Sequence, residues 1–183
     1  MNEQLFDFVN DQAGSVSALD SLAKFFAVYA LYVLVGIVAV LGVRLLLADR
    51  QRGLMVGAVG ALALGLAGLG ILAASSVVTE DRPFVHDSDT ALLIAHGADN
   101  SFPSDHSTIA AAIAVVGALA WRRLWPLFAG LAAAVGFARI YVGVHYPGDV
   151  AAGWAIGALA ALLAWYAVQL ILTRWRPRLA AQI

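Results

Sequence analysis

The sequence has 183 residues, of which 62% are hydrophobic and 13% charged, and its mean hydropathy is +0.83. Soluble domains carry about 25% charged residues, so this composition indicates an integral membrane protein. The net charge of −1 argues against a nucleic-acid partner, and the absence of cysteine excludes disulfides and thiolate metal sites. The length suits one membrane-embedded domain over residues 1–183.

Taken in chain order, the apolar segments predict an all-α bundle. Residues 1–20 place apolar side chains among acidic ones, which predicts a short helix on the membrane surface. Five later stretches reach or approach the roughly 20 apolar residues of a membrane span: 22–47, 54–78, 107–121, 124–141 and 150–173. The fold expected is a compact bundle of five to six helices, with five transmembrane spans and an N-terminal interfacial helix.

Small residues and charge placement predict how the spans pack and how they are oriented. The pairs Gly53/Gly57 and Gly153/Gly157 have the GxxxG spacing that allows close helix packing in membranes. Basic residues gather in the linker 48–53, the turn 121–125 and the C-terminal tail; these are Arg50, Arg52, Arg122, Arg123, Arg174, Arg176 and Arg178. Basic loops stay in the cytoplasm. The C-terminus is therefore expected inside, with the N-terminus and the long loop 79–106 outside.

Polar side chains from three separate segments fall at the predicted outer end. Arg82 follows the second span, residues 104–106 open the third, and Arg139, His145 and Asp149 surround the junction of the last two. Arg82 alone could be an interfacial anchor, and Ser104 alone could be only a helix N-cap. Arg139 lies about one turn inside its span, where an ionisable residue is a functional candidate.

These residue types together favour phosphoryl-transfer chemistry. Asp149, in the first turn after Pro147, can reach back to His145. A carboxylate on one ring nitrogen of a histidine strengthens the other as a base or nucleophile. Arginine forks and helix N-termini both bind phosphate. No HExxH motif and no cysteine are present, so no metal and no cofactor are predicted. The alternative metal site would take three ligands among His86, His96, His106 and His145.

Three motifs in order resemble the type-2 phosphatidic acid phosphatase superfamily over about residues 75–150. That family has Lys-x6-Arg-Pro, then Pro-Ser-Gly-His, then Ser-Arg-x5-His-x3-Asp. Here the first motif keeps Arg82-Pro83, the second reads PSDH at 103–106, and the third reads AR at 138–139 followed by His145 and Asp149. The resemblance implies a membrane-embedded phosphatase that acts on lipid phosphates without a metal.

The resemblance also implies a role for each site residue. His145 would attack phosphorus and form a phosphohistidine, Asp149 would orient it, and His106 would give and take the proton. Arg82 and Arg139 would bind phosphate together with the start of the third span. Ser104 and Asp105 belong to that phosphate-binding segment, although a carboxylate at position 105 should repel phosphate.

Three departures from the family pattern narrow the expected substrate. Ser75 stands where the family has lysine, Ala138 replaces a serine, and Asp105 replaces a glycine. The segment SFPSDHST, which contains Asp105, is similar to the corresponding segment of bacitracin-resistance-type undecaprenyl-diphosphatases. These enzymes convert the carrier lipid's diphosphate to the monophosphate outside the cell membrane, which recycles it for cell-wall peptidoglycan. His86 and His96 are candidates to replace the missing cation.

Two rival interpretations stay open at this level. A phosphatase for phosphatidate, phosphatidylglycerophosphate or another phospholipid monoester would share the fold and the chemistry. A small membrane transporter or scaffold would use the polar loop only for binding, and would neither release phosphate nor respond to vanadate. The sequence specifies neither the lipid chain length nor an oligomeric state.

Overall fold

A computed structural model of the protein describes residues 2–180, and the side chains of residues 2–174. These residues form α1 (Asn2–Asn10), α2 (Ser17–Val28), α3 (Ala30–Ala48), α4 (Arg50–Val77), α5 (Pro83–His86), α6 (Asp105–Ala120), α7 (Trp125–Tyr141) and α8 (Pro147–Ala180). A 3-10 turn at Arg122–Leu124 precedes α7. The all-helical prediction is confirmed for this part of the chain.

Within the described part of the chain, four segments are long and apolar enough to cross a membrane, namely Ala30–Ala48, Arg50–Val77, Arg122–Tyr141 and Pro147–Arg174. The helix α6 is apolar but shorter, with 16 residues. It spans about 24 Å at 1.5 Å per residue, which is less than the roughly 30 Å of a bilayer's hydrocarbon core. The helix α6 alone is therefore too short to cross that core.

The first predicted span differs from the structure. One continuous helix was expected over 22–47, but the chain has α2 and α3 with a break at Tyr29. Neither proline nor glycine stands at this break, so the usual sequence signals of a helix end are missing there. The break allows the carbonyl oxygen of Ala27 to accept a hydrogen bond from Arg139 Nη1 at 3.3 Å.

The N-terminal helix α1 packs onto the protein instead of only covering the membrane surface. Phe6 is buried, and its ring meets the Tyr146 ring edge-on at a centroid distance of 5.4 Å. Asn10 is also buried, and its amide donates to the carbonyl oxygens of Ala91 and Tyr141, both at 3.0 Å. Phe8 on the opposite face is exposed. The apolar face is thus divided between the protein and its surroundings.

The contact between α6 and α8 fixes the position of the polar residues. A Cβ atom at Gly153 would approach the carbonyl oxygen of Ser104 to 2.7 Å, and one at Gly157 would overlap that of Thr108. The absence of side chains lets the two helix backbones touch. This confirms the small-residue prediction for Gly153 and Gly157, whereas Gly57 has open space beside it. The start of α6 is consequently held against the second and third turns of α8.

Candidate active site

The first turn of α8 holds a buried carboxylate that several groups share. Pro147 begins the helix, and Asp149 two residues later is fully buried. Its Oδ2 accepts hydrogen bonds from the Ser101 hydroxyl at 2.5 Å and the Tyr146 N–H at 2.8 Å. His145 Nδ1 lies 3.4 Å from the same oxygen. The reach from Asp149 back to His145 that the spacing predicts is therefore present.

The neighbours of His145 define its tautomer. Arg82 Nη1 lies 3.3 Å from His145 Nε2. A guanidinium can only donate, so Nε2 must carry the lone pair and Nδ1 the hydrogen. The Ser101 hydroxyl donates its hydrogen to Asp149. The Ser101 oxygen lies 3.3 Å from Nδ1, where it can accept the Nδ1 hydrogen. Both sides of the ring agree on a neutral imidazole whose lone pair is on Nε2, where it accepts a hydrogen bond from Arg82 in this structure.

Burial keeps the imidazole neutral. His145 lies in the short connection between α7 and α8, and burial lowers its pKa to about 4, against the opposing effect of its contact with Asp149. The charges of Arg139 and Arg82 lower it further. Because desolvation disfavours the charged ring, the nucleophilic form is populated throughout the neutral range.

Arg82 is held by the outer loop on one side and by the histidine on the other. Its Nε donates to Asp99 Oδ1 at 2.8 Å, its Nη1 to the Val144 carbonyl oxygen at 2.9 Å, and its Nη2 to the Asn100 carbonyl oxygen at 3.3 Å. It is buried despite its charge. These contacts, together with the one to His145 Nε2, engage most of its donors and make it a fixed cation beside the His145 ring rather than a simple interfacial anchor.

Arg139 is also buried, but it has far fewer partners. Its Nη1 donates to the Ala27 carbonyl oxygen, but its Nε has no hydrogen-bond partner among the described residues. Leaving such a donor unpaired costs free energy, so this guanidinium is suited to an anionic ligand. His106, half-buried in the first turn of α6, lies within electrostatic range of Arg139, Arg82 and His145.

The start of α6 contributes backbone donors, with one difference from expectation. Ser104 is the N-cap, as the sequence predicts, because its Oγ accepts from the Ser107 N–H at 3.4 Å and the Ser107 hydroxyl at 3.0 Å. Its own N–H, expected to face phosphate, instead donates to the Asp149 carbonyl oxygen at 3.1 Å. The N–H groups of Asp105 and His106 are the ones that the helix start leaves for an anion.

Asp105 and Ser75 lie at the margins of this arrangement. Asp105 is exposed, next to the half-buried His106. Arg82 and Arg139 lie within electrostatic range of its carboxylate, although it forms no ion pair with either among the described residues. Ser75 is half-buried, and its hydroxyl donates to the Leu72 carbonyl oxygen at 3.2 Å. The lysine expected from the resemblance therefore has no counterpart at Ser75 itself.

Sequence reasoning missed Ser101, Asp99 and Asn100. Ser101 is fully buried and binds Asp149, Asp99 pairs with Arg82, and Asn100 Oδ1 accepts from the N–H groups of Glu80 and Phe102 at 2.9 and 3.2 Å. All three precede the PSDH motif, in a loop rich in polar residues. Only their closeness to that motif could have singled them out.

Comparison with known proteins identifies the family. The sequence model of the PAP2 superfamily matches residues 56–179, which include every site residue described above. The chain belongs to the PAP2 superfamily. In this PAP2 chain, Arg82 of the first motif and Asp149 of the third lie on the two nitrogens of the third-motif histidine, His145.

Two PAP2 relatives are similar over most of their length. The chain is 36% identical over 167 residues to the bacitracin transport permease protein BcrC of Bacillus licheniformis, covering 91% of this chain and 80% of that one. It is also 36% identical over 167 residues to the undecaprenyl-diphosphatase BcrC of Bacillus subtilis, covering 89% and 82%. Among solved structures, Aquifex aeolicus LpxE matches with a TM-score of 0.71 at 26% identity, covering 89% of this chain and 93% of LpxE.

Proposed function

We propose that this protein is a multi-pass membrane phosphatase that removes the terminal phosphate of undecaprenyl diphosphate and yields undecaprenyl phosphate. The observation that carries the proposal is the neutral His145, whose Nε2 faces Arg82 while Nδ1 faces Ser101 and Asp149. Such an activated nucleophile beside two buried arginines suits phosphoryl transfer. The name of the Bacillus subtilis relative supports the choice of substrate.

The reaction would proceed in two displacements. The Nε2 lone pair of His145 attacks the terminal phosphorus, the bond from phosphorus to the bridging oxygen breaks, and undecaprenyl phosphate leaves. His106 supplies a proton to the leaving oxygen. Water then attacks the phosphohistidine, His106 accepts a proton from that water, the P–N bond breaks, and inorganic phosphate is released.

The remaining site residues stabilise charge during both steps. Arg82 and Arg139 neutralise the oxygens of the transferring phosphoryl group, and the N–H groups at the start of α6 add further donors. Asp149 and Ser101 hold Nδ1–H and stabilise the ring as it becomes positively charged. Ser104 acts as the N-cap that keeps these donors in place. The chemistry assigned to these residues requires no bound metal.

We further propose that the site faces the outside of a bacterial cell membrane and that the C-terminus is cytoplasmic. Arg52, Arg122 and Arg123 lie at the end of the bundle opposite to His145, as basic cytoplasmic loops would. The side chains of Arg176 and Arg178, which also led to this expectation, lie outside those described. A single cysteine replacing Asp89 in intact cells should react with an impermeant maleimide, whereas one replacing Arg123 should not. The reverse pattern would contradict this orientation.

The decisive assay compares substrates on the purified protein. Undecaprenyl diphosphate should be hydrolysed with a higher kcat/KM than phosphatidate or phosphatidylglycerophosphate, and vanadate should inhibit. His145→Ala should abolish phosphate release from every substrate. A preference for a monoester would make the protein a phospholipid phosphatase. No release by the unaltered protein, with no effect of vanadate, would instead favour the transporter or scaffold.

A further inference from the structure

His96 is a titratable residue of the outer loop that the two-step mechanism leaves unused, although its ring reaches the active site. The ring centroids of His96 and His145 are 6.4 Å apart, and the rings meet edge-on at 72°. The side chain is 23% exposed, so a bound ligand can still reach it. By contrast, the side chain of His86 in the same loop is 63% exposed and lies 3.9 Å from the Glu3 carboxylate.

Asp99 couples His96 to the phosphate-binding arginine. Its Oδ1 accepts a hydrogen bond from Arg82 Nε at 2.8 Å and lies 3.8 Å from His96 Nδ1. The Nδ1 atom is also 3.1 Å from the Gly97 carbonyl oxygen. A carbonyl oxygen can only accept, so Nδ1 carries the hydrogen of the neutral ring. The other nitrogen, Nε2, is left for a ligand.

The surrounding charges give His96 a specific electrostatic character. Burial lowers the pKa of His96, and the positive charges of Arg82 and Arg139 lower it further, whereas the hydrogen bond to the Gly97 carbonyl oxygen and, more weakly, Asp99 raise it. His106 and His145 lie on the same side, and Asp105 is the other carboxylate within range. Before an anion arrives, the ring is therefore neutral in a positive field. A dianionic phosphate would reverse that field and favour proton uptake.

We infer that His96 is a further phosphate-binding residue of this site, which takes up a proton as the substrate binds and donates Nε2–H to a nonbridging phosphate oxygen. This inference deepens the proposed function and rests on it. Protonated His96 would supply a third cation from the outer loop, in addition to Arg82 and Arg139. His96 accordingly belongs to the binding machinery, and the covalent steps stay with His145 and His106.

The experiment compares His96→Gln with His86→Gln, which makes the same change at an exposed position of the same loop. We expect His96→Gln to raise the KM for undecaprenyl diphosphate and the inhibition constant of vanadate about tenfold, the size expected for one charge-assisted hydrogen bond. The value of kcat should change less. In the unaltered protein, vanadate affinity should fall more steeply with rising pH than in His96→Gln, because proton uptake is lost.

His96→Lys separates a binding role from a structural one. A permanently charged side chain should restore vanadate affinity and flatten its dependence on pH, whereas a purely structural histidine would not be replaced in this way. Values of KM, vanadate affinity and pH slope in His96→Gln equal to those in His86→Gln would overturn the inference. Vanadate binding can be measured by thermal shift, and it tests the role of His96 even if undecaprenyl diphosphate is not hydrolysed. The proposed function and the role of His96 can therefore fail separately.

Discussion

Arg82 and Arg139 are both buried beside His145, yet the protein holds them in different ways. Arg82 donates to Asp99, to the carbonyl oxygens of Val144 and Asn100, and towards Nε2 of His145. Arg139 donates to the Ala27 carbonyl oxygen, and its Nε is unpaired among the described residues. One side of the site is thus assembled in advance, and the other retains donors for a ligand.

We call the first side the nucleophile wall, formed by Arg82, Ser101, His145 and Asp149, and the second the acid wall, formed by His106 and Arg139. The nucleophile wall joins the outer loop to the first turn of α8 by hydrogen bonds. In the proposed mechanism, its residues serve both folding and catalysis. The residues of the acid wall would serve catalysis at some cost to stability, as buried charges without full pairing do.

The largest expected contrast is between the matched changes Arg82→Met and Arg139→Met. Each should lower kcat/KM by about 10²- to 10³-fold, the usual cost of losing one transition-state donor. Arg82→Met should also lower the free energy of unfolding by about 1–3 kcal/mol, because buried acceptors lose their donor. Arg139→Met should leave stability unchanged or raised. Equal losses of thermal stability in the two variants would remove the distinction between the walls.

A smaller contrast lies within the acid wall and depends on the leaving group. A monophosphate leaves more readily than a lipid alkoxide, so a diphosphate substrate needs the proton from His106 less. His106→Ala should lose about 10²- to 10⁴-fold on phosphatidate, the usual range for general acid catalysis, and clearly less on undecaprenyl diphosphate. Parallel rate measurements on both lipids test this. The same loss on both would show that His106 is not the proton donor to the leaving group.

The smallest effect concerns Glu80 at the edge of the nucleophile wall. Its backbone carbonyl oxygen accepts from the Ser101 N–H at 2.8 Å. Burial, and then the charge of Asp149, raise the pKa of Glu80 from 4.5 to about 7. Because the pKa of Glu80 is higher in the folded than in the unfolded protein, protonated Glu80 contributes its full stabilisation below the unfolded value of 4.5. This stabilisation is lost as the pH rises through the folded value of about 7.

The unfolding temperature should therefore fall between pH 5 and pH 8, and Glu80→Gln should make this fall shallower. Asp81→Asn, an exposed neighbour, provides the control and should keep the original slope. Identical slopes in all three proteins would mean that Glu80 ionises freely in the fold.

The sequence predicts the spans well because apolar length alone determines them. The predicted range 124–141 matches α7 within one residue, and 107–121 matches α6 within two. The proximity of His145 and Asp149 also follows from local spacing, since both belong to one turn around Pro147. The break at Tyr29 could not be predicted, because tertiary packing at Ala27 rather than a helix-breaking residue accompanies it.

The path of the outer loop explains what the sequence could not provide. Ser101 and Asp99 reach the site through contacts with residues 17 to 48 positions away, and His96 reaches it through its ring contact with His145. Hydrophobic periodicity carries no information on such contacts. The hydrogen bond of the Ser104 N–H group likewise depends on a long-range contact that the sequence pattern does not reveal. Helix capping predicts Ser104 correctly, but its pairing with the Asp149 carbonyl oxygen depends on how closely α6 and α8 pack at Gly153.

The most direct test of the central claim is to trap the covalent intermediate on His145. Protein mixed with undecaprenyl diphosphate carrying a ³²P label on the terminal phosphate should, after an alkaline quench, hold label on a peptide that contains His145. The label should be absent in His145→Gln. Label on another residue, or phosphate release by His145→Gln at the rate of the unaltered protein, would contradict the account.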